Sequence, residues 1–318
     1  MPIPERMLTA LRQAQRVVLI AHVSPDGDTL GSALALRLAL LAAGAAAHVV
    51  CQDTVPDLYA SLPGAETVVA PQETAGRVYD LAVAVDVSDA LRMGGSAPVF
   101  EAARARMVVD HHGTNTRFGE ENWIEPDASA TGVLVLELVR ALGAQLTPDI
   151  ARCLFVAMST DTGHFQYQNT NAQVMRAAAD CVEAGIDVAR ITEGLYRERP
   201  RAKTELLACA LRSLTFERDG HLAYMKLSRA DFKRCGASDA MSEGLINYAI
   251  ETQGVKVAFL ARENNAGVKF SLRSRPPYDV AEVCKRFGGG GHVFAAGCTI
   301  AAPLDEAVSA MLGAIDVG

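Results

Sequence analysis

Long apolar runs are missing from this 318-residue chain. Nowhere do eighteen uncharged apolar residues follow one another, so no membrane-spanning helix is expected. The longest Ala- and Leu-rich stretch, Ala33 to Ala47, is interrupted by Arg37 and Gly44 and reads as a buried helix. The opening residues MPIPERMLTALRQAQR lack the apolar core of a signal peptide. The seven cysteines (Cys51, Cys153, Cys181, Cys209, Cys235, Cys284 and Cys298) include no Cys-x-x-Cys pair. That spacing argues against a zinc ribbon or a disulfide framework, and a reducing, cytoplasmic compartment is the expectation. Aromatic residues are scarce, at 6%, so no base-stacking residue can be singled out. Phe165, Tyr167 and Phe294 stand near motifs, with core packing as their expected role. A strong basic footprint is missing too: net charge is −7. Residues 1–199 hold 15 Lys+Arg against 24 Asp+Glu, and residues 200–318 hold 15 against 13. An acidic front half suits cations and a mildly basic back half suits anions, so any nucleic-acid ligand should be short.

What is present is a packed chain, half of it hydrophobic, long enough for two domains. In the front half, apolar runs end repeatedly in acids or histidines. Val17–Ile20 leads to His22 and a turn carrying Asp26 and Asp28, after which ALALRLALLAAG reads as a helix. Tyr79–Val85 ends in Asp86, and Met107–Val109 ends in Asp110-His111-His112. A helix opened by Thr147-Pro148 runs into Ser159-Thr160-Asp161. Strands alternating with helices predict an α/β domain, a mostly parallel sheet with helices on both faces, and ligands bind at the carboxyl ends of such strands. The charged, Pro-broken stretch Tyr196–Arg201 marks a domain boundary. Beyond it, strands near 221–227, 255–261 and 268–272 and helices near 240–250, 279–286 and 304–315 predict a smaller α+β domain with an antiparallel sheet.

Carboxylates gathered this closely repel one another unless a cation neutralises them. Oxygen ligands with a minority of imidazoles suit Mn²⁺ or Mg²⁺, and there are enough of them for two ions. A single strand-end Asp is most often a cap or turn former; the recurrence at four places outweighs that. His48 and His221 have no such acidic company. In the back half, Gly288–Gly291 before His292 reads either as a flexible linker or as backbone that can approach a phosphate closely. Its place between DVAEVCKRF and HVFAAG, inside a folded unit, favours the second. Arg273 could bind a phosphate bidentately, with Arg262 and Arg275 as further candidates. No nucleophile-elbow motif surrounds Ser32 or Ser159.

The segments HVSPDGDTLGS, AVDVSD, VVDHHGTN and STDTGHF resemble, in order, the four motifs of the DHH phosphoesterase superfamily. GVKFSLRS and FGGGGHVFAAG resemble its associated C-terminal domain. In length and domain pairing the chain is similar to the short bacterial group that degrades nanoRNA and dephosphorylates 3′-phosphoadenosine 5′-phosphate. The resemblance implies a metal-binding catalytic domain over 1–190, a linker over 191–208, a substrate-binding domain over 209–318, and an active site in the cleft between the domains. It implies two divalent ions, Mn²⁺ before Mg²⁺: one held by His22, Asp26 and Asp86, the other by Asp28, Asp86, His111 and Asp161. His112 would face the substrate phosphate and Asp110 would orient the histidines. Arg273, Arg262, Gly289, Gly290, Gly291 and His292 would hold the substrate. The implied reactions are hydrolysis of short oligoribonucleotides to mononucleotides and of 3′-phosphoadenosine 5′-phosphate to AMP. The implied partners are short RNA or DNA oligonucleotides and 3′,5′-bisphosphate nucleotides, with a homodimer allowed. Alternatives are a linear or cyclic dinucleotide phosphodiesterase, a RecJ-like exonuclease on short single-stranded DNA and a family II pyrophosphatase, whose C-terminal domain lacks such a Gly-rich loop. Outside enzymes, the alternative is a nucleotide-binding sensor, against which the complete ligand pattern speaks.

Overall fold

Strand β1 (Arg16–Ile20) is sealed on both sides: Val17 and Leu19 enter one apolar cluster, Val18 and Ile20 another. The same alternation runs through β3 (Leu81–Val85), which is buried along its whole length. In this computed structural model, which describes residues 2–317, the chain separates into two compact units, Met1–Arg197 and Glu198–Gly318.

The first unit carries a five-stranded, all-parallel sheet in the order β2-β1-β3-β4-β5, with β2 at Ala46–Val50, β4 at Ala105–Asp110 and β5 at Glu121–Ile124. One face is covered by α1 (Glu5–Gln13), α2 (Gly27–Ala42), α4 (Thr131–Ala141), α5 (Pro148–Asp161) and α6 (Ala172–Glu183), with Ile191 of α7 (Val188–Thr192) beside them. The other face is covered by the short α3 (Ala97–Glu101), through Phe100, and by Tyr79, Val87 and Met93. The expected two-sided α/β architecture is present, with unequal layers.

Two features place the site. β1 and β3 are adjacent although β2 lies between them in sequence, so the sheet changes direction of growth there, which opens a crevice at the strand ends. Parallel register pairs Ile20 with Ala84 and Val85 with Val109, bringing the residues just beyond these strands side by side. Helix packing does the rest. A Cβ on Gly31 would stand 2.4 Å from the Cys153 carbonyl oxygen, and one on Gly132 would stand 2.7 Å from the Ala157 methyl. Only glycine lets α2 and α4 approach α5 this closely. Helix α2 also begins earlier than the hydrophobic pattern suggests: Asp26 caps it, and Asp28 lies in its first turn instead of in a loop.

The second unit holds a six-stranded sheet in the order β10-β11-β9-β8-β7-β6. Its strands are β6 (Thr215–Glu217), β7 (Leu222–Leu227), β8 (Val257–Asn264), β9 (Gly267–Ser274), β10 (Gly290–His292) and β11 (Ala295–Ile300). The sheet is mixed where an antiparallel one was expected, because β7 and β8 run parallel. A crossover through α9 (Arg229–Cys235) and α10 (Asn247–Ile250) supplies the length that parallel pairing needs. The helix expected over 240–250 is broken by Gly244 at φ +81°, leaving a 3₁₀ turn at Asp239–Ser242 before α10. Val268, Phe270 and Leu272 of β9 pack towards α11 (Val280–Lys285) and α12 (Leu304–Ala314), while Ala258 and Leu260 of β8 pack with α8 (Arg201–Arg212) and α9. Residues 201–208, within the expected 191–208 linker, are therefore the start of a packed helix of the second unit.

Candidate metal centre

The centre begins with a division of labour inside one carboxylate. Asp26 Oδ1 accepts the backbone N–H groups of Asp28 and Thr29 at 3.0 and 3.1 Å, capping α2. Its Oδ2 is left facing His22 Nε2 at 3.5 Å. His22, 3% exposed, has Nδ1 at 2.8 Å from the Val23 carbonyl, which can only accept. Nδ1 therefore carries the proton, and Nε2 is turned to Asp26 and to Asp86 Oδ2 at 3.7 Å. Arg92 Nη2 lies 3.1 Å from the same Nδ1. Burial opposes charge on His22, but Asp26 and Asp86 outweigh it and hold its pKa above the ordinary histidine value.

Asp86 comes directly after β3 in the left-handed region, at φ +61°, a conformation that Asp tolerates better than most residues. Oδ1 accepts the Thr131 hydroxyl at 2.8 Å and lies 3.7 Å from His111 Nε2, while Oδ2 faces His22. One buried carboxylate thus looks into two clusters. Burial pushes its pKa up to about 6, with Asp26 adding to the rise and His111 and His112 opposing it.

His111 repeats the arrangement of His22: Nδ1 stands 3.1 Å from the Ala128 carbonyl, which leaves Nε2 unprotonated. That Nε2 is buried and has no hydrogen-bond partner among the described residues. It points instead at three carboxylate oxygens, Asp28 Oδ2 at 3.8 Å, Asp86 Oδ1 at 3.7 Å and Asp161 Oδ2 at 3.5 Å. A buried nitrogen lone pair among acidic oxygens, at separations too long for hydrogen bonds, fits a shared cation. Two triads, His22/Asp26/Asp86 and Asp28/His111/Asp161, each hold their ligand atoms within 4.8 Å of one another, as does Asp86/His111/His112.

Asp28 is 1% exposed and is engaged more heavily than its sequence position suggests. It accepts the N–H groups of Thr131 and Gly132 at 2.7 and 2.9 Å and the Ser32 hydroxyl at 3.0 Å, so it also caps α4, where Ala130 offers no side-chain cap. Burial, followed by repulsion from Asp86 and Asp161, raises its pKa well above the carboxylate range. Asp161, the last residue of α5, is also raised by burial, with Asp26 contributing.

Asp110 closes β4 and is fully buried; it accepts the His111 N–H and His112 Nδ1 at 2.8 Å each and Asn115 Nδ2 at 2.6 Å. These bonds outweigh burial and hold its pKa below the ordinary value. Its bond to His112, assisted by Asp86, lifts that imidazole to about 9 against the effect of burial. With no metal bound, His112, its side chain 44% exposed, is thus favoured as a cation at the rim of the centre.

The DHH family, N-terminal domain, matches residues 16–158, and the DHHA1 domain matches residues 220–316. A "Bifunctional oligoribonuclease and PAP phosphatase NrnA" from Thermus thermophilus is 34% identical over 302 residues, covering 94% of this chain and 89% of the relative. The chain belongs to the DHH family. A Bacillus subtilis relative with the same description is 20% identical over 293 residues, covering 89% of each chain. Among solved structures, an exopolyphosphatase-related protein from Bacteroides fragilis superposes with a TM-score of 0.89 at 24% identity, covering 98% of this chain and 94% of that one. Exonuclease RecJ bound to manganese superposes with a TM-score of 0.59 at 15% identity, covering 99% and 94%. At these identities the likeness is one of fold.

In the DHHA1 unit the glycine run passes from a turn at Gly288 into a strand at Gly290 and Gly291, inside the folded unit. β10 pairs antiparallel with β11, and a Cβ on Gly291 (φ +145°) would stand 2.6 Å from the Ala295 carbonyl oxygen. Gly290, Gly291 and His292 are exposed and Gly289 partly so. Arg273 is partly exposed and donates to the Leu272 carbonyl at 2.9 Å. Arg262 is only 7% exposed: Nη1 donates to Ser242 Oγ at 2.6 Å and Nη2 to Ser271 Oγ at 3.1 Å. Arg262 and Arg273 line one cavity of about 260 Å³ with Lys269 and Ser271. Arg275 instead donates to the Ile250 carbonyl. Phe165 packs against the core of the first unit as expected, whereas Tyr167 and Phe294 are exposed at 60% and 44%, against the core role expected for them.

The sequence pattern does not reveal the residues that hold the ligands. Thr131, Asn115, Ala128 and Gly132 are among them, as is Asn169, whose Nδ2 reaches the Asp161 carbonyl at 3.1 Å. Asn115 lies within VVDHHGTN, and that proximity is its only signal in the chain; the others carry none.

Proposed function

We propose that this DHH-family phosphoesterase hydrolyses short oligoribonucleotides to mononucleotides and removes the 3′-phosphate of 3′-phosphoadenosine 5′-phosphate, using two divalent ions. The observation that carries the reading is the His22/Asp26/Asp86 triad beside the Asp28/His111/Asp161 triad, with His111 Nε2 buried and unsatisfied among the oxygens of Asp28, Asp86 and Asp161. The described activity of the Thermus thermophilus relative supports the substrate classes. Manganese is the proposed metal and magnesium the second choice, because the donors are mostly hard oxygens.

In this reading His22, Asp26 and Asp86 hold one ion, and Asp28, Asp86, His111 and Asp161 the other. When bound, such a pair of ions supplies Lewis-acid charge and lowers the pKa of an attacking water. The protein residues do the rest. Val23 and Ala128 fix the tautomers of His22 and His111 so that both Nε2 lone pairs face inward. Asp110 keeps His112 protonated, giving the rim a cation that can pair with a phosphate oxygen and stabilise charge as it develops. Arg273, Arg262, Gly289, Gly290, Gly291 and His292 are the proposed substrate-holding residues of the second unit.

Purified protein, stripped and reloaded with Mn²⁺ or Mg²⁺, should release AMP from pApA and phosphate from 3′-phosphoadenosine 5′-phosphate. A parallel panel of pGpG, pyrophosphate and short single-stranded DNA separates the remaining phosphoesterase activities. Binding of a bisphosphate nucleotide without product at saturating Mn²⁺ would reduce the protein to a sensor. Asp86→Asn and His111→Ala should each abolish turnover while circular dichroism stays unchanged; full activity in either variant overturns the ligand assignment.

A further inference from the structure

Five of the seven cysteines have other settings, but Cys209 and Cys235 face each other. Cys209 is near the end of α8, Cys235 is the last residue of α9, and their sulfurs are 3.6 Å apart. They lie just beneath the surface, 7% and 8% exposed. Two guanidinium groups converge on one of these sulfurs. Arg212 Nη2 lies 3.3 Å and Arg234 Nη2 3.1 Å from Cys209 Sγ. A thiol that merely fills space in a core attracts apolar neighbours, not two cationic donors. Arg234 is itself steadied by Asp231 Oδ1 at 2.5 Å, and Glu205 is the acidic group acting on Cys235.

We infer that Cys209 is an oxidation site, with Cys235 as its resolving thiol, that a hydroperoxide converts to a disulfide joining α8 to α9. The chemistry balances in two steps. Cys209, as thiolate, attacks one oxygen of the hydroperoxide; an S–O bond forms, the O–O bond breaks, and the alkoxide or hydroxide leaves and takes a proton from solvent. Cys235 then attacks the sulfenic sulfur; the S–S bond forms, the S–O bond breaks, and the departing hydroxide takes the Cys235 proton to become water. Two thiols lose two electrons, and the hydroperoxide is reduced to an alcohol or water, with a second water released.

The environment separates the roles. Beside Arg234, Cys235 and Arg212 the Cys209 thiol is held below the ordinary cysteine value although burial opposes this, while burial and the neighbouring Cys209 push Cys235 up. The thiols of Cys51, Cys153 and Cys181 are all pushed up by burial. Cys284 and Cys298 also hydrogen-bond to each other, which holds Cys298 down and pushes Cys284 up, but no arginine acts on either, so this pair is an internal control for the two guanidinium groups.

The test uses the full-length, metal-loaded, reduced protein, exposed to hydrogen peroxide at pH 7, quenched with N-ethylmaleimide and mapped by mass spectrometry. The Cys209–Cys235 peptide should appear before oxidation at any other cysteine, as expected for a thiol held in its more acidic form beside two guanidinium groups. In Cys235→Ser, dimedone should label Cys209; in Cys209→Ser, Cys235 should stay unlabelled. Arg212→Gln combined with Arg234→Gln should slow the reaction about tenfold, whereas Arg234→Lys, which keeps the charge, should retain most of the rate if packing cannot tolerate the double change. Oxidation spread evenly over the seven cysteines, a Cys284–Cys298 link that forms first, or an unchanged rate in a folded Arg212→Gln/Arg234→Gln variant overturns the inference.

Discussion

Asp28 and Thr131 meet across 103 residues of chain, the Asp28 Oδ2 accepting the Thr131 backbone N–H at 2.7 Å. The contact makes a first-turn residue of α2 the cap of α4, and it places the Thr131 hydroxyl on Asp86 Oδ1. The candidate metal ligands are thus tied to each other through helix ends, and disturbing a tie should be felt at the centre.

Thr131→Val keeps the N–H that caps onto Asp28 but deletes the hydroxyl on Asp86. Metal affinity should fall by about 10- to 100-fold, as for other groups that orient a ligand. Stability of the metal-free protein should change by no more than about 1–3 kcal/mol. Calorimetric Mn²⁺ titration and urea unfolding measure the two effects, and Thr131→Ser should restore affinity.

Gly31→Ala sets a methyl against the Cys153 carbonyl oxygen, where the nearest relief is backbone movement of α5. A loss of about 1–3 kcal/mol is expected, together with weaker metal binding, because α2 carries Asp28 and α5 carries Asp161. Gly313→Ala in α12, with open space around it, should instead stabilise by about 0.5–1 kcal/mol and leave the metal untouched. Equal effects at both positions in urea titrations would contradict the packing account.

Without a cation the gathered carboxylates repel one another. The Asp86 carboxyl is raised from 3.8 to about 6 in the folded state, so between these values the folded protein binds more protons than the unfolded one. Stability therefore falls as pH rises through that window, by about 2–3 kcal/mol, and is flat for this group above it. In EDTA, Asp86→Asn should be more stable than the wild type at pH 7, with the difference closing towards pH 4. Added Mn²⁺ should reverse the order at pH 7.

His112 follows the same sign at higher pH. Held by Asp110, it titrates at about 9 in the metal-free protein, so its contribution is present below pH 6.5 and is lost as pH rises through about 9. In Asp110→Asn the imidazole should titrate closer to the ordinary histidine value, as read by NMR. His112→Ala should retain both metals yet lower kcat by about 10²-fold; a normal rate would remove it from the reaction.

Much of the centre was legible in the sequence because each candidate ligand stands just past a strand or at one end of a helix whose apolar pattern is local. Val17–Ile20, Tyr79–Val85 and Met107–Val109 announce strands by composition, and residues at the carboxyl end of a parallel strand lie on the ligand-binding edge of the sheet. The residue types then select a hard divalent cation. Tertiary structure alone decided the rest, since it depends on pairs distant in sequence. Register and strand order set Asp86 between two clusters; helix packing at Gly31 and Gly132 brings Asp28, Thr131 and Asp161 within reach; and the crossover makes β7 and β8 parallel. Thr131, Asn169 and the Cys209–Cys235 pair have nothing distinctive around them in the chain. Their roles come from the neighbours that folding supplies, because hydrogen bonds and electrostatic fields act over a few ångströms of space, whatever the separation along the sequence.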